Sequence, residues 1–115
     1  MRVIAGRERL MTDKELADSL NLKTEMARTA LVQAIRNLMV FDQKQQDYGS
    51  KNIASWGSKK QDMFGVLTRI KDKVHRVANL LENEDDPNNE SIEDNCMDIA
   101  NYGLILHLLN NEKWR

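Results

Sequence analysis

The hydrophobic positions of this chain recur at helical rather than strand spacing. In TEMARTALVQAIRNLMVFDQKQQDYG, Ala27, Leu31, Ala34, Ile35, Leu38 and Phe41 return every three or four residues, the pattern of an amphipathic helix. Thr24 can cap its start and Gly49 can stop it, so a helix is expected from 25 to about 46. In KKQDMFGVLTRIKDKVHRVANLLENE, the residues Met63, Val66, Leu67, Ile70, Val74, Val77, Ala78 and Leu81 fall on one face. Ser58 and Gln61 have capping-box spacing before it, and DDPNN breaks it after about residue 83. A last helix is expected from about 90 to 110, with Ile92, Cys96, Ile99, Gly103 and Leu106 as its core stripe. A short helix over 13–20 is opened by Thr12 and Glu15. Residues 1–11 read as a poorly ordered or extended arm.

These elements predict an all-α protein: a compact bundle of about four helices forming one domain over 12–115. Beyond Tyr102 the last helix is apolar on nearly every side, as LILHLL shows. A helix of that kind is buried. In so small a domain this implies a subunit interface as well as a core, so a homo-oligomer is expected to complete the bundle. The main irregular connection is DYGSKNIASWGS, residues 47–58. Loops of this make-up carry ligand contacts, or else Tyr48, Ile53 and Trp56 plug the ends of the core.

Composition narrows the function classes. The chain has 115 residues, of which 30% are charged and 41% hydrophobic, with a net charge of -1. That is a soluble globular balance, and it supplies no global field to draw the protein onto nucleic acid or an acidic membrane. No 18-residue apolar run exists, and MRVIAGRERLMTDKE lacks the apolar centre of a signal peptide, so the expected location is the cytoplasm. The single cysteine, Cys96, excludes an intrachain disulfide and a cysteine-based zinc site. It is expected in the core, with His107 in the core or at an interface and His75 facing solvent. ELADSLNL followed by a second helix is faintly similar to a helix-turn-helix. The second segment is too long and too apolar for a recognition helix, and nucleic acid is not the expected partner.

The chemistry concentrates in two polar stripes. Arg69, Asp72, Lys73 and Arg76 share one face of the third helix and border its core. Glu90, Asp94, Asp98 and Asn101 share one face of the fourth, with Tyr102 beside them. Acids in a first helical turn are favoured by the macrodipole. That explains Glu90, Glu93 and Asp94, but not Asp98, two turns further in. Like charges at i, i+4 cost a few tenths of a kcal/mol. Solvent or ion pairs with the basic stripe could absorb that cost. Alternatively, Asp72, Glu90, Asp94 and Asp98 could hold Mg²⁺, which prefers oxygen ligands. Or Arg69, Lys73 and Arg76 could hold phosphates directly.

Three segments in order, DYGS, RIKDKVHRVANLL and ESIEDNCMDIANYGLI, resemble the phage and bacterial family called nucleotide modification associated domain 1. The resemblance covers roughly residues 35–108. It implies a small helical protein, often phage-encoded, linked to nucleotide metabolism or modified-base DNA. It marks Asp47, Tyr48, Gly49, Arg69, Asp72, Lys73, Arg76, Glu90, Asp94, Asp98, Asn101 and Tyr102 as functional candidates. A more distant similarity is to the MazG-type all-α nucleotide pyrophosphohydrolases, which use Mg²⁺. Here the sequence departs from the pattern, with only Asp72 where a glutamate cluster is expected.

The expected function is therefore the holding of a phosphorylated nucleotide or nucleotide-derived signal, without catalysis. In a phage this would serve nucleotide metabolism or sequester a host immune signal in the host cytoplasm. Arg69, Lys73 and Arg76 would meet phosphates, with Tyr48, Trp56, Asn101 and Tyr102 around the base. The alternative is a Mg²⁺-dependent nucleotide phosphohydrolase with Asp72, Glu90, Asp94 and Asp98 as ligands. A third reading is a helical interaction module whose two stripes pair into salt bridges and leave no cavity.

Overall fold

The computed structural model describes residues 2–5, 9–54, 57–83 and 91–114, the first of these and residue 9 as backbone alone. Among the described residues four helices carry the fold, as the periodicity predicts: α1 (Asp13–Ser19), α2 (Glu25–Tyr48), α3 (Lys59–Glu82) and α4 (Ile92–Asn110). Before them, β1 (Arg2–Ala5) and β2 (Arg9–Thr12) pair antiparallel, with Arg2 opposite Thr12 and Ala5 opposite Arg9. This pairing occupies the stretch expected as a poorly ordered or extended arm and ends one residue beyond it, at Thr12. Its backbone groups find partners in the pairing rather than in water.

Local chemistry sets the helix ends. Thr12 and Glu15 form the expected capping box at α1. The Thr24 hydroxyl accepts from the Ala27 N–H at 3.1 Å, and the Ser58 hydroxyl accepts from the Gln61 N–H at 3.1 Å. At α4 the Ser91 hydroxyl accepts from the Asp94 N–H at 3.0 Å. Each satisfies a donor that a helix start leaves without a partner. Gly49 closes α2 with φ +69, a left-handed conformation that costs glycine nothing.

The chain divides into two compact units, Met1–Val40 and Phe41–Arg115. In the first, Ala17 is buried and Arg28 holds α1 against the start of α2. Its guanidinium donates to Asp18 at 2.7 Å and to the Leu22 carbonyl at 3.1 Å. The Arg28 hydrogen bond lowers the Asp18 pKa, against the opposing effect of desolvation.

In the second unit, α3 and α4 run antiparallel: Lys59 reaches the Asn110 carbonyl while Lys73 reaches Asp98. Ile53, Val66, Ile105 and Leu109 form the core between them, with Phe41, Met63, Ile70, Tyr102, Leu106 and Trp114 packed around it. The face that α4 buries differs from the expected one. Cys96 is exposed rather than in the core. Ile92 and Leu104 are exposed too, while Asn95, Asn101, Ile105 and Leu109 are buried. Because α4 is apolar on nearly every side after Tyr102, hydrophobic spacing there selects no face. Polar partners across the unit select it instead.

Candidate functional site

The inward face of α4 brings Asp98, Asn101, Tyr102 and Ile105 to one wall of a cavity of about 390 Å³ within the second unit. Further lining comes from the end of α2, through Phe41, Lys44, Gln45 and Tyr48, and from the turn after it, through Gly49, Asn52 and Ile53. Arg69 and Lys73 enter from α3, and Trp114 closes one side. The volume lies within the range of about 300–1,000 Å³ of small-molecule sites.

Asp98 is the electrostatic centre. Its Oδ1 accepts from Lys44 Nζ at 2.8 Å and its Oδ2 pairs with Lys73 Nζ at 3.0 Å. Asp98 and Lys73 keep 16% and 15% of their side-chain surface, whereas Lys44 keeps 50%. Burial alone would raise the Asp98 pKa. The hydrogen bonds from Lys44 and Lys73, reinforced by their charges, outweigh it and hold the carboxyl below its ordinary range. The same hydrogen bond to Asp98 raises Lys44, against burial that would lower it.

Rigid contacts shape the rest. Arg69 donates to the Asn52 carbonyl at 2.9 Å, tying α3 to the turn that follows Gly49. A guanidinium carries five N–H donors in a planar fork, so this one bond fixes the group while it faces the cavity. The Trp114 indole N–H donates to the Ser50 carbonyl at 3.0 Å. Its ring meets Phe41 edge-on, with centroids 6.0 Å apart and an interplanar angle of 88°.

Of the expected site residues, Tyr48, Gly49, Arg69, Lys73, Asp98, Asn101 and Tyr102 come together here, while Asp47 is exposed and does not line the cavity. Arg76, Asp72 and Asp94 are exposed and do not line the cavity. Trp56 and Glu90 lie outside the described residues. Among the described residues no group of three or more His, Cys, Asp or Glu could hold a metal ion. Lys44 and Trp114 are cavity residues that the sequence reading does not single out, and Phe41 enters it only through the apolar stripe of α2. For Lys44 a signal existed: it stands four residues before Tyr48, on the same helical face.

The nucleotide modification associated domain 1 model matches residues 44–109, more than half of the chain. The chain belongs to the nucleotide modification associated domain 1 family. The match begins at Lys44 and ends at Leu109, so it takes in most of the cavity lining, while Phe41 and Trp114 lie just outside it. No curated protein and no solved structure matches this family member. Among its described residues, no helix is long and apolar enough to cross a membrane.

Proposed function

We propose that this nucleotide modification associated domain holds a phosphorylated nucleotide, or a signal molecule derived from one, in the cavity between α2, α3 and α4. One observation carries the reading: cationic and aromatic side chains line the same cavity. Lys44, Arg69 and Lys73 set three positive charges against the single carboxylate of Asp98. The excess of two positive charges balances a terminal phosphate, which carries roughly −1.5 to −2 near neutral pH. Tyr48 and Tyr102 supply ring faces for a base, and Asn101 supplies both a donor and an acceptor for its edge.

Asp98 orients the two lysines rather than contacting phosphate. Both of its oxygens already accept from ammonium groups, so a metal cation at Asp98 would have to sit beside two positive charges. This favours a holding role over metal-assisted hydrolysis. In a phage such a protein would withdraw a nucleotide or a nucleotide signal from the host.

Calorimetric titration with nucleoside mono-, di- and triphosphates, cyclic nucleotides and ADP-ribose derivatives tests the reading. Binding by one class, weakened at least about tenfold in Arg69→Ala, a loss of 1.4 kcal/mol or more, is the expected result. Absence of binding across the panel overturns it. Cleavage of a bound nucleotide in the presence of Mg²⁺ overturns the holding role in favour of hydrolysis.

A further inference from the structure

Helix α3 presents a second apolar stripe that its own unit leaves uncovered. Its core side runs through Met63, Val66, Ile70 and Val77. On another face lie Phe64, Leu67, Val74 and Leu81, each between 45% and 58% exposed. With Lys71 and Ala78, both exposed, they occupy positions 64, 67, 71, 74, 78 and 81. That alternation of three and four is the heptad pattern of a helix seam. It continues for roughly 26 Å along the axis at 1.5 Å per residue. Single exposed apolar residues are ordinary, but a continuous stripe marks an interaction surface.

The charges at the ends of α3 identify the occupant. A helix favours acids at its N-terminus and bases at its C-terminus; α3 keeps one such acid, the buried Asp62, but its exposed end charges run the other way. Lys59 and Lys60 begin α3, Glu82 ends it, and its last turn holds no base. Lys59 is engaged within the unit, donating to the Asn110 carbonyl at 3.3 Å. Lys60 and Glu82 are exposed. A second α3 laid antiparallel on the first corrects both ends, because each Glu82 comes within a turn of the other copy's Lys60. A parallel pairing would instead set like charges together.

The stripe is also complementary to itself in that direction. Antiparallel pairing about a two-fold axis sets Phe64 against Leu81, Leu67 against Ala78, and Lys71 against Val74 of the second copy. Large residues thus meet at the ends, and the small Ala78 accommodates Leu67. The Lys71 stem lies over Val74 while its ammonium stays in water. This is the isologous contact of a two-fold dimer, in which residue i meets j and j meets i. We infer that two copies of this chain associate through antiparallel α3 helices, along the seam from Phe64 to Leu81.

Sedimentation equilibrium of the full chain over a wide concentration range tests the inference. Wild type is expected to approach the dimer mass, and Val74→Glu and Leu67→Glu to remain monomeric with helical circular dichroism retained. Lys60→Glu and Glu82→Lys each weaken association at low salt, and the double variant restores it, because the antiparallel pair exchanges the two signs. Monomer mass throughout, or a dimer indifferent to Val74→Glu and Leu67→Glu, overturns the inference. A dimer that both variants abolish but the charge exchange does not restore overturns the antiparallel pairing.

Discussion

Asp98 Oδ1 accepts a hydrogen bond from Lys44 Nζ at 2.8 Å, joining residues 54 positions apart. Lys73 takes the second oxygen at 3.0 Å. One carboxylate therefore fixes α4 to both other helices of its unit and settles which face of α4 turns inward. Removing its charge leaves two neighbouring ammonium groups that repel. Asp98→Asn is expected to destabilise the protein by about 1–3 kcal/mol, below the ~3–5 kcal/mol of a fully buried pair because Lys44 is half in water. Lys73→Met should cost more than Lys44→Met, since Lys73 is much the more buried partner. Urea denaturation of the three variants measures the order, and equal costs would contradict this account.

The same cluster gives a pH dependence with a definite sign. Asp98 has its pKa lowered in the folded state, so its contribution is complete above the unfolded value of about 3.9. It is lost as pH falls through the lower folded value, where the unfolded chain binds more protons. Lys44 is shifted upward. Its contribution is complete below about 10.4 and is lost as pH rises through the higher folded value. The stability difference between wild type and Asp98→Asn should therefore be flat near neutrality and shrink in acid. Denaturation curves from pH 7 down to about pH 2 read this directly, and a difference that grows on acidification would show that the sign is wrong.

Arg69 and Arg76 separate the cavity from the rest of the basic stripe. They lie seven residues apart on α3, yet Arg69 lines the cavity and Arg76 does not. For whichever nucleotide the calorimetric panel identifies, Arg69→Ala is expected to weaken binding at least about tenfold, while Arg76→Ala stays within about twofold. Tenfold corresponds to ~1.4 kcal/mol, the scale of one charge-assisted hydrogen bond. Equal losses in the two variants would place the ligand outside the cavity.

The helices were legible in the sequence because their determinants are local. Thr24, Ser58 and Gly49 mark ends through groups within a few residues, and the apolar spacing needs only one helix to be seen. The facing of α4 was not legible. LILHLL is apolar all round, so Ile92 and Cys96 fitted a core stripe as well as Ile105 and Leu109 did. The choice depends on Lys44 and Lys73, which no spacing within α4 reveals. The polar stripes were half legible for the same reason. Arg69 and Lys73 turn toward the cavity and Asp72 and Arg76 toward solvent, although all share one band of the helical wheel. Trp114 escaped entirely, because a lone aromatic near a chain end has no periodicity.

Trp114 is expected to support the cavity and stability together. It donates to the Ser50 carbonyl and packs edge-on against Phe41. Trp114→Phe retains a ring but removes the donor, which should cost about 1 kcal/mol. Trp114→Ala removes the contacts as well and should cost about 2–4 kcal/mol, toward the range of large core truncations. Thermal melts of both variants, followed by circular dichroism, test the order. A Phe variant as unstable as the Ala variant would show that the indole hydrogen bond, rather than the packing, dominates.

Asn95 should limit stability rather than provide it. The side chain is fully buried on α4. Its Nδ2 donates to the Ser91 carbonyl at 3.0 Å, but among the described residues its Oδ1 has no hydrogen-bond partner. A buried acceptor in that state costs about 1–3 kcal/mol, whereas an apolar group of similar shape carries no such penalty. Leucine shares the branching of asparagine at Cγ, so Asn95→Leu removes the orphaned oxygen with little change of outline. The Ser91 carbonyl, at the start of α4, also accepts from the Asn95 backbone N–H at 3.3 Å, so it is not abandoned. Asn95→Leu is therefore expected to raise the melting temperature by a few degrees, and Asn95→Ala, which opens a cavity, to lower it. A destabilised leucine variant would show that the Oδ1 site is served by a donor such as a buried water, whose loss outweighs the apolar gain.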